Sequence, residues 1–448
     1  MLSLFKVVPL LLLAVGNWVD ASPSPKPPAR FGKSTPIPNQ YIVQYHDHVN
    51  SAVRLNHLSE FRLRTAASRS PKFRGVTKGF SIGSFAGFHG ELSPADVKQL
   101  KGSKLVKSVQ QDAIIRVASP VFYNRNLARD SNITSNPRPV WSAGLNNLHT
   151  VETPGSWGQG RISHRNLEPK NFVYETDPTI VYIIDSGIRT THSEFLGSSP
   201  SNPSPRAVTG FNFAPPNSDS PSEGSSDGLG HGTHVAGIVG GLTYGIAPQA
   251  HLIALKIFNG RGEGTWSGVL SAIEWAVNHT NSYNLRGKTV INMSLGSDDI
   301  FQPVNDAVSQ AVTQHGITVV VAAGNSDLDT GNTTPGSCPD AISVGSSNEF
   351  DERSNFSNWG PATALFAPGE GITSAMNTGD EDTASLTGTS MSAPHVAGLA
   401  AYFMGLYGRH TPLQMRQRIL GYATPGKLTG DLKGSPNLIA FNGNPEEL

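Results

Sequence analysis

Thr179-Ile180-Val181-Tyr182-Ile183-Ile184-Asp185-Ser186-Gly187 is the stretch that decides the fold. Its first six residues are all β-branched or aromatic, with no polar side alternating against an apolar one. Such a run reads as a strand buried on both faces. Three more runs have the same character, at 251–257, 289–295 and 317–322, and helical spacing appears at 267–277 and 304–314. Apolar strands alternating with helices predict an α/β architecture, a mainly parallel sheet with helices on both faces. In such sheets function collects at the carboxyl ends of the strands. Asp185 and Asn325 both fall just past predicted strand ends. The Ser-, Pro- and Asp-rich loop 197–228 is expected at the surface.

Two further segments complete a chemical set: Gly230-His231-Gly232-Thr233-His234-Val235-Ala236-Gly237 and Gly388-Thr389-Ser390-Met391-Ser392-Ala393-Pro394-His395. A serine hydroxyl needs a base within hydrogen-bond reach, and the base needs an orienting partner. His231 can take the proton of Ser390 and Asp185 can hold the imidazole tautomer. Gly388 permits a sharp turn into the helix that Ser390 opens, whose free N–H groups can face a developing oxyanion. Asn325, in Val321-Ala322-Ala323-Gly324-Asn325, supplies a second donor. Each residue alone has a plainer reading. An Asp after a strand caps a turn, Ser390 could cap its helix, and His231 with His234 has i, i+3 metal-ligand spacing but no third ligand suitably spaced. Together they indicate acyl transfer.

The 448 residues are 37% hydrophobic and 15% charged, a globular balance. Lys+Arg and Asp+Glu are both 34, so nothing favours nucleic acid or an anionic membrane surface as partner. Lys6 precedes the apolar run 7–15, and Val19-Asp20-Ala21 puts small residues at a cleavage position, so 1–21 reads as a secretory signal too short to span a bilayer. Residues 22–38 read as a Pro/Ser-rich linker and 39–118 as a small α+β domain. Within it, 41–45 is a strand, 52–64 a helix, Ser93-Pro94 a helix start, and 105–109 and 114–117 two closing strands. Residues 119–154 form an exposed connection, and 155–448 the catalytic domain. The single cysteine, Cys338, has no adjacent base in its sequence and reads as a structural thiol.

Through these motifs the chain resembles subtilisin-like serine proteases, closest to the proteinase K-like group of fungi. The resemblance covers nearly everything after the signal. The block 39–118 is similar to that family's inhibitory propeptide, a ferredoxin-like α+β unit, through Tyr41-Ile42-Val43, Gly87-Phe88-His89-Gly90-Glu91-Leu92-Ser93 and Val109-Gln110-Gln111-Asp112. It implies Asp185, His231 and Ser390 as triad and Asn325 as oxyanion donor. It implies Gly262 and Gly264 as the edge pairing with an extended substrate, and Ser294, Leu295, Gly296 and Gly324 around the primary specificity pocket. The protein is then a monomeric secreted endopeptidase made as a zymogen, broad in specificity with an apolar preference at P1, acting on proteins and peptides with its own propeptide as inhibitor. Vacuolar delivery is the rival destination.

The chain departs from the group at two places. Val235 stands where a cysteine is common. The carbonyls of a frequent calcium site match Pro339 and Ala341, but its Asp position matches Ala364. No cofactor and no metal at that site are expected, with a structural calcium elsewhere left open. Sequons at Asn132, Asn278, Asn332 and Asn355 are glycosylation candidates; the one at Asn292 lies in a predicted buried strand. An α/β-hydrolase esterase would place the serine first, and a non-catalytic relative would usually have lost a triad residue.

Overall fold

The computed structural model describes residues 30–67, 73–117, 121–122, 150–168, 171–174, 179–197, 204–216, 226–444 and 447. The signal read at 1–21, most of the connection at 119–154 and the Asn132 sequon lie outside the described residues.

The first unit runs β1 (Thr35–Tyr45), α1 (Ser51–Ala67), β2 (Gly75–Ile82), β3 (Phe85–Glu91), α2 (Pro94–Lys101) and β4 (Val106–Arg116). Its strands pair antiparallel in the order β4-β1-β3-β2, the split βαββαβ arrangement of ferredoxin-like folds. Ser93 caps α2 as expected: its side chain accepts from the Asp96 N–H, with Pro94 in the first turn.

Two expectations change here. The closing segments 105–109 and 114–117 are one strand, because Gln110 and Gln111 stay in register opposite Ile42 and Tyr41 and Gln111 Nε2 donates to the Ile37 carbonyl. The stretch 22–38 is also no linker over its last residues. Phe31 is buried, β1 begins at Thr35, and Thr35 and Pro36 pair with Ile114 and Ala113.

After β5 (Val121–Phe122) and β6 (Thr150–Glu152) come α3 (Trp157–Ser163), β7 (Phe172–Tyr174), β8 (Ile180–Asp185), β9 (Ala207–Asn212), α4 (His231–Gly240), β10 (His251–Lys256), β11 (Glu263–Thr265), α5 (Trp266–Ser282), β12 (Thr289–Met293), α6 (Gln302–Thr313), β13 (Thr318–Ala322), β14 (Ile342–Ser347), β15 (Leu365–Pro368), β16 (Ile372–Ala375), β17 (Thr383–Thr387), α7 (Thr389–Tyr407), α8 (Pro412–Tyr422), β18 (Thr424–Pro425) and β19 (Leu438–Ile439). The main sheet has the order β18-β19-β15-β14-β13-β12-β8-β10-β9 and is parallel except where β18 meets β19.

The apolar runs explain why both faces are covered. Val181, Ile183, Val290, Val320 and Ala322 face one core together with α4 and α7. Tyr182, Ile184, Ile291, Val319 and Val321 face a second core with α5 and α6. Alternation along each strand, with apolar residues predominating on both faces, serves two cores at once. Phe80, Phe85, Ala113 and Ile115 of the first unit belong to the second core, so that unit sits on the α5–α6 face. Polar contacts rim this interface. Gln44 Nε2 and Lys107 Nζ reach Asp306 Oδ2 at 2.9 and 3.0 Å, and the Ser81 N–H donates to Glu274 Oε1 at 2.7 Å. Among the described residues, no helix is long and apolar enough to cross a membrane.

Candidate active site

Asp185 is the last residue of β8, and its Oδ1 accepts the Ser186 N–H at 2.7 Å. His231 is the first residue of α4. Gly230 before it has φ 93°, and a Cβ there would lie 2.2 Å from Met376 Cε. Only glycine meets both demands. The turn delivers His231 Nδ1 to Asp185 Oδ1 at 2.8 Å, with both side chains buried. Burial by itself pushes the His231 pKa down. The charge and hydrogen bond of Asp185, helped by Asp227, outweigh this and hold it above the ordinary histidine value. His234, by contrast, is driven down to about 3 by burial, and its Nε2 meets the Ile372 and Ala384 carbonyls, so it is a neutral packing residue.

Asp227 is the residue the motifs did not announce. Its carboxylate accepts five hydrogen bonds, from the N–H groups of Leu229, Gly230 and Thr233 and the hydroxyls of Ser186 and Thr233. It ties the start of α4 to the end of β8, with the Gly232 N–H closing the loop onto Ser186 Oγ. An Asp four residues before a helix start, in Asp227-Gly228-Leu229-Gly230, is a capping signal that could have found it.

Ser390 is the second residue of α7, behind Gly388 at φ 152°. Pro394 lies inside the same helix and has no N–H to give to the carbonyl of Ser390. Ser294 Oγ, just past β12, supplies that bond instead at 2.8 Å, while Ser390 Oγ donates to the Ser294 carbonyl at 3.3 Å. The two chain segments are thus pinned to each other at the carboxyl end of the sheet. The Ser390 hydroxyl rests on Ser294 rather than on His231, a loose arrangement common where no substrate is bound.

Asn325 lies three residues beyond β13 and is 2% exposed. Its Oδ1 accepts from Thr389 N (2.9 Å) and Thr389 Oγ1 (2.7 Å), which fixes the amide's orientation. Its Nδ2 is buried without a partner, and a Cβ on Gly388 would come within 3.3 Å of it. A buried donor with no acceptor is costly unless something else supplies one.

The edge expected to pair with substrate, at Gly262 and Gly264, is occupied by the chain itself. β11 pairs antiparallel with β4, Glu263 opposite Arg116, Gly264 opposite Ile115 and Thr265 opposite Ile114. The Val117 N–H donates to the Gly262 carbonyl at 3.0 Å, and a Cβ on Gly262 would lie 2.7 Å from Val117 Cγ1. Beyond the undescribed residues 118–120, β5 pairs with β17, the strand leading into Gly388. Leu295 is fully buried in the second core, the same cluster that takes Ile115. Gly296 and Gly324 face one aromatic ring: a Cβ on either would stand 3.3 or 3.4 Å from Phe31 Cδ2.

Pro339 and Ala341 do not fit a calcium ion. Arg416 Nη1 donates to both carbonyls, at 3.3 and 2.7 Å, and Ala364 brings no carboxylate. No group of three or more His, Cys, Asp or Glu among the described residues could hold a metal. Cys338 is buried with its pKa pushed up to about 11 by burial, the opposite of an activated thiol.

Comparison with known proteins gives the family of the chain. The profile of the Subtilase family matches residues 176–437, and that of Peptidase inhibitor I9 matches 40–118. The chain is 36% identical over 444 residues to Alkaline protease 1 of Aspergillus clavatus, covering 97% of this chain and 98% of that protein. It is 35% identical to the Cuticle-degrading serine protease of Arthrobotrys oligospora, with 92% of each covered. A cold adapted subtilisin-like serine proteinase of known crystal structure aligns with TM-score 0.56 and 37% identity, over 64% of this chain and 97% of that one. The chain belongs to the Subtilase family of serine proteases and carries an I9 inhibitor unit ahead of its protease domain.

Proposed function

We propose that this subtilase is a secreted endopeptidase, made as a zymogen, that cleaves peptide bonds through an acyl-enzyme on Ser390. The observation that carries the reading is the orphaned Nδ2 of Asn325, buried beside Gly388 with its amide locked by Thr389. Ser390 Oγ turns from the Ser294 carbonyl to His231 Nε2 and attacks the scissile carbonyl carbon. Its proton passes to Nε2 as the Oγ–C bond forms. Asp185 stabilises the imidazolium, while Asn325 Nδ2 and the backbone N–H groups opening α7 hold the oxyanion. The proton then goes to the amine nitrogen as the C–N bond breaks. Water repeats the sequence against the acyl-enzyme, restoring the serine.

Substrate binds as an added strand on 262–264, the place β4 holds in the zymogen, so main-chain bonds give affinity with little sequence demand. A phenyl ring, that of Phe31, lies close to both Gly296 and Gly324, which supports an apolar P1 preference. Substrates are proteins and peptides, with no nucleic acid or membrane partner, and the enzyme works as a monomer without a cofactor. The apolar run at 7–15 and the exposed Asn278, Asn332 and Asn355 support passage through the secretory route to the outside or, alternatively, the vacuole. Asn292 is buried and stays unmodified.

Ser390→Ala should accumulate the uncut precursor, and the mature wild type should cut a mixed peptide library after apolar residues. Normal processing of the Ser390→Ala chain would refute self-cleavage.

A further inference from the structure

The protease cleft receives two separate pieces of the precursor, of which only one belongs to the expected inhibitory strand. β4 covers the edge at 262–265. The other piece is Phe31-Gly32-Lys33-Ser34, ahead of the first strand. Phe31 is 6% exposed, though it sits in a Pro- and Ser-rich stretch. Its Cδ2 edge lies close to both Gly296 and Gly324, where a Cβ would stand 3.3 or 3.4 Å from it, beside the residues assigned above to the primary specificity pocket.

The backbone that follows is tied down just as specifically. The Gly32 N–H donates to Asp298 Oδ2 at 3.1 Å, and the Gly32 carbonyl accepts the Asp298 N–H at 2.8 Å. Ser34 gives its N–H and hydroxyl to the two oxygens of Asp299, at 3.1 and 2.8 Å. Thr35 and Pro36 then pair with Ile114 and Ala113, so β4 is flanked by β11 on one side and by this segment on the other. Phe31, Gly32, Ser34, Ile115 and Gly296 line one narrow crevice.

We propose that residues 31–34 are a second inhibitory anchor, in which Phe31 fills the specificity pocket while β4 covers the substrate edge. Gly32 is bonded to Asp298 at both its N–H and its carbonyl, so the backbone next to Phe31 is held in place beside the pocket. The two attachments share one folded unit, so each raises the effective concentration of the other. Self-cleavage of the precursor needs the same pocket, so the plug withdraws for that step and reseats once the chain is cut. A substrate's P1 side chain enters only when Phe31 leaves. Burying a phenyl side chain corresponds to roughly 10- to 100-fold in affinity.

This inference rests on the pocket reading above, and one experiment separates the two. The full chain is produced as wild type, Phe31→Ala, Phe31→Leu and Ser34→Ala, and hydrolysis of a chromogenic peptide with Phe at P1 is followed from the start of maturation. The anchor predicts that Phe31→Ala shortens the lag before activity and raises the residual activity of the processed, still-complexed enzyme by about 10- to 100-fold. Phe31→Leu should fall between Ala and wild type, and Ser34→Ala should give a smaller shift in the same direction. Mature kcat and KM should match wild type in all three variants, because no substitution lies in the protease domain. Equal lag and equal residual activity across the series would overturn the anchor, even with a mature enzyme that cuts after Phe. Should Phe31→Ala yield no enzyme, an unchanged lag in both Phe31→Leu and Ser34→Ala overturns it equally. A mature enzyme that refuses Phe at P1 would instead sink the pocket reading.

Discussion

Asn325 offers a perturbation whose size can be worked out from its contacts. Its Oδ1 takes two hydrogen bonds from Thr389 and its Nδ2 takes none. Two functions are therefore divided between two atoms of one amide. Asn325→Asp keeps an oxygen for Thr389 and removes the donor; Asn325→Leu removes both. Losing one oxyanion donor costs about 10²–10³ in kcat, or about 2.7–4 kcal/mol, a magnitude carried over from subtilisin, a member of this same family. Asn325→Asp should show at least that loss, since its second oxygen repels the developing negative charge, with KM changed by less than about threefold. Asn325→Leu should lose a similar factor in kcat and also stability, because the Thr389 N–H and hydroxyl are left unpaired at about 1–3 kcal/mol for each group. The assay is steady-state hydrolysis of a chromogenic peptide by the mature variants, cut from their precursors by a trace of wild-type enzyme, alongside thermal unfolding. A kcat loss below about tenfold in both variants, or an effect confined to KM, would refute the division of labour.

The pH dependence follows from His231. Its pKa is held above the ordinary histidine value, and the base must be neutral to act, so kcat/KM should rise with pH along a limb centred above about 6.5; a limb below 6 would contradict the Asp185–His231 coupling. Asp227→Ala should strand several buried donors at the start of α4, cutting both thermal stability and kcat; a variant as stable and active as wild type would remove Asp227 from the site's support. Arg416→Ala should lower the unfolding temperature by a few degrees, since a charged donor to two carbonyls is worth about 1.5–3 kcal/mol. A chelator that lowers the wild-type unfolding temperature but leaves that of Arg416→Ala unchanged would put a metal where the guanidinium is placed here.

Much of this architecture could be read from the chain because its demands are local. The run 179–184 needs no partner to declare itself a doubly buried strand, and the two cores it serves are set by alternation alone. Gly230 and Gly388 mark turns that other residues would strain, so the motifs around His231 and Ser390 announce their own geometry. What stayed hidden depends on distant contacts. Phe31 in a Pro/Ser-rich stretch looks like part of a linker until Gly296 and Gly324, more than 260 residues on, close around it. Polar Gln110 and Gln111 interrupt the apolar pattern, yet β4 continues through them because β1 pairs on one side. Arg416 reveals nothing in its own helix; only the fold brings it to the Pro339 and Ala341 carbonyls. The pinning of Ser390 to Ser294 likewise depends on two distant segments meeting, although Pro394, lacking an N–H, already leaves the Ser390 carbonyl in need of a donor.

The central claim is that Asp185, through His231, makes the Ser390 hydroxyl a nucleophile. Treatment of the mature enzyme with a fluorophosphonate, followed by mass mapping, tests it most directly. One adduct per molecule is predicted, on Ser390, with labelling at least about 10³-fold slower in His231→Ala. An unlabelled Ser390 in active enzyme, or labelling indifferent to His231, would contradict the account.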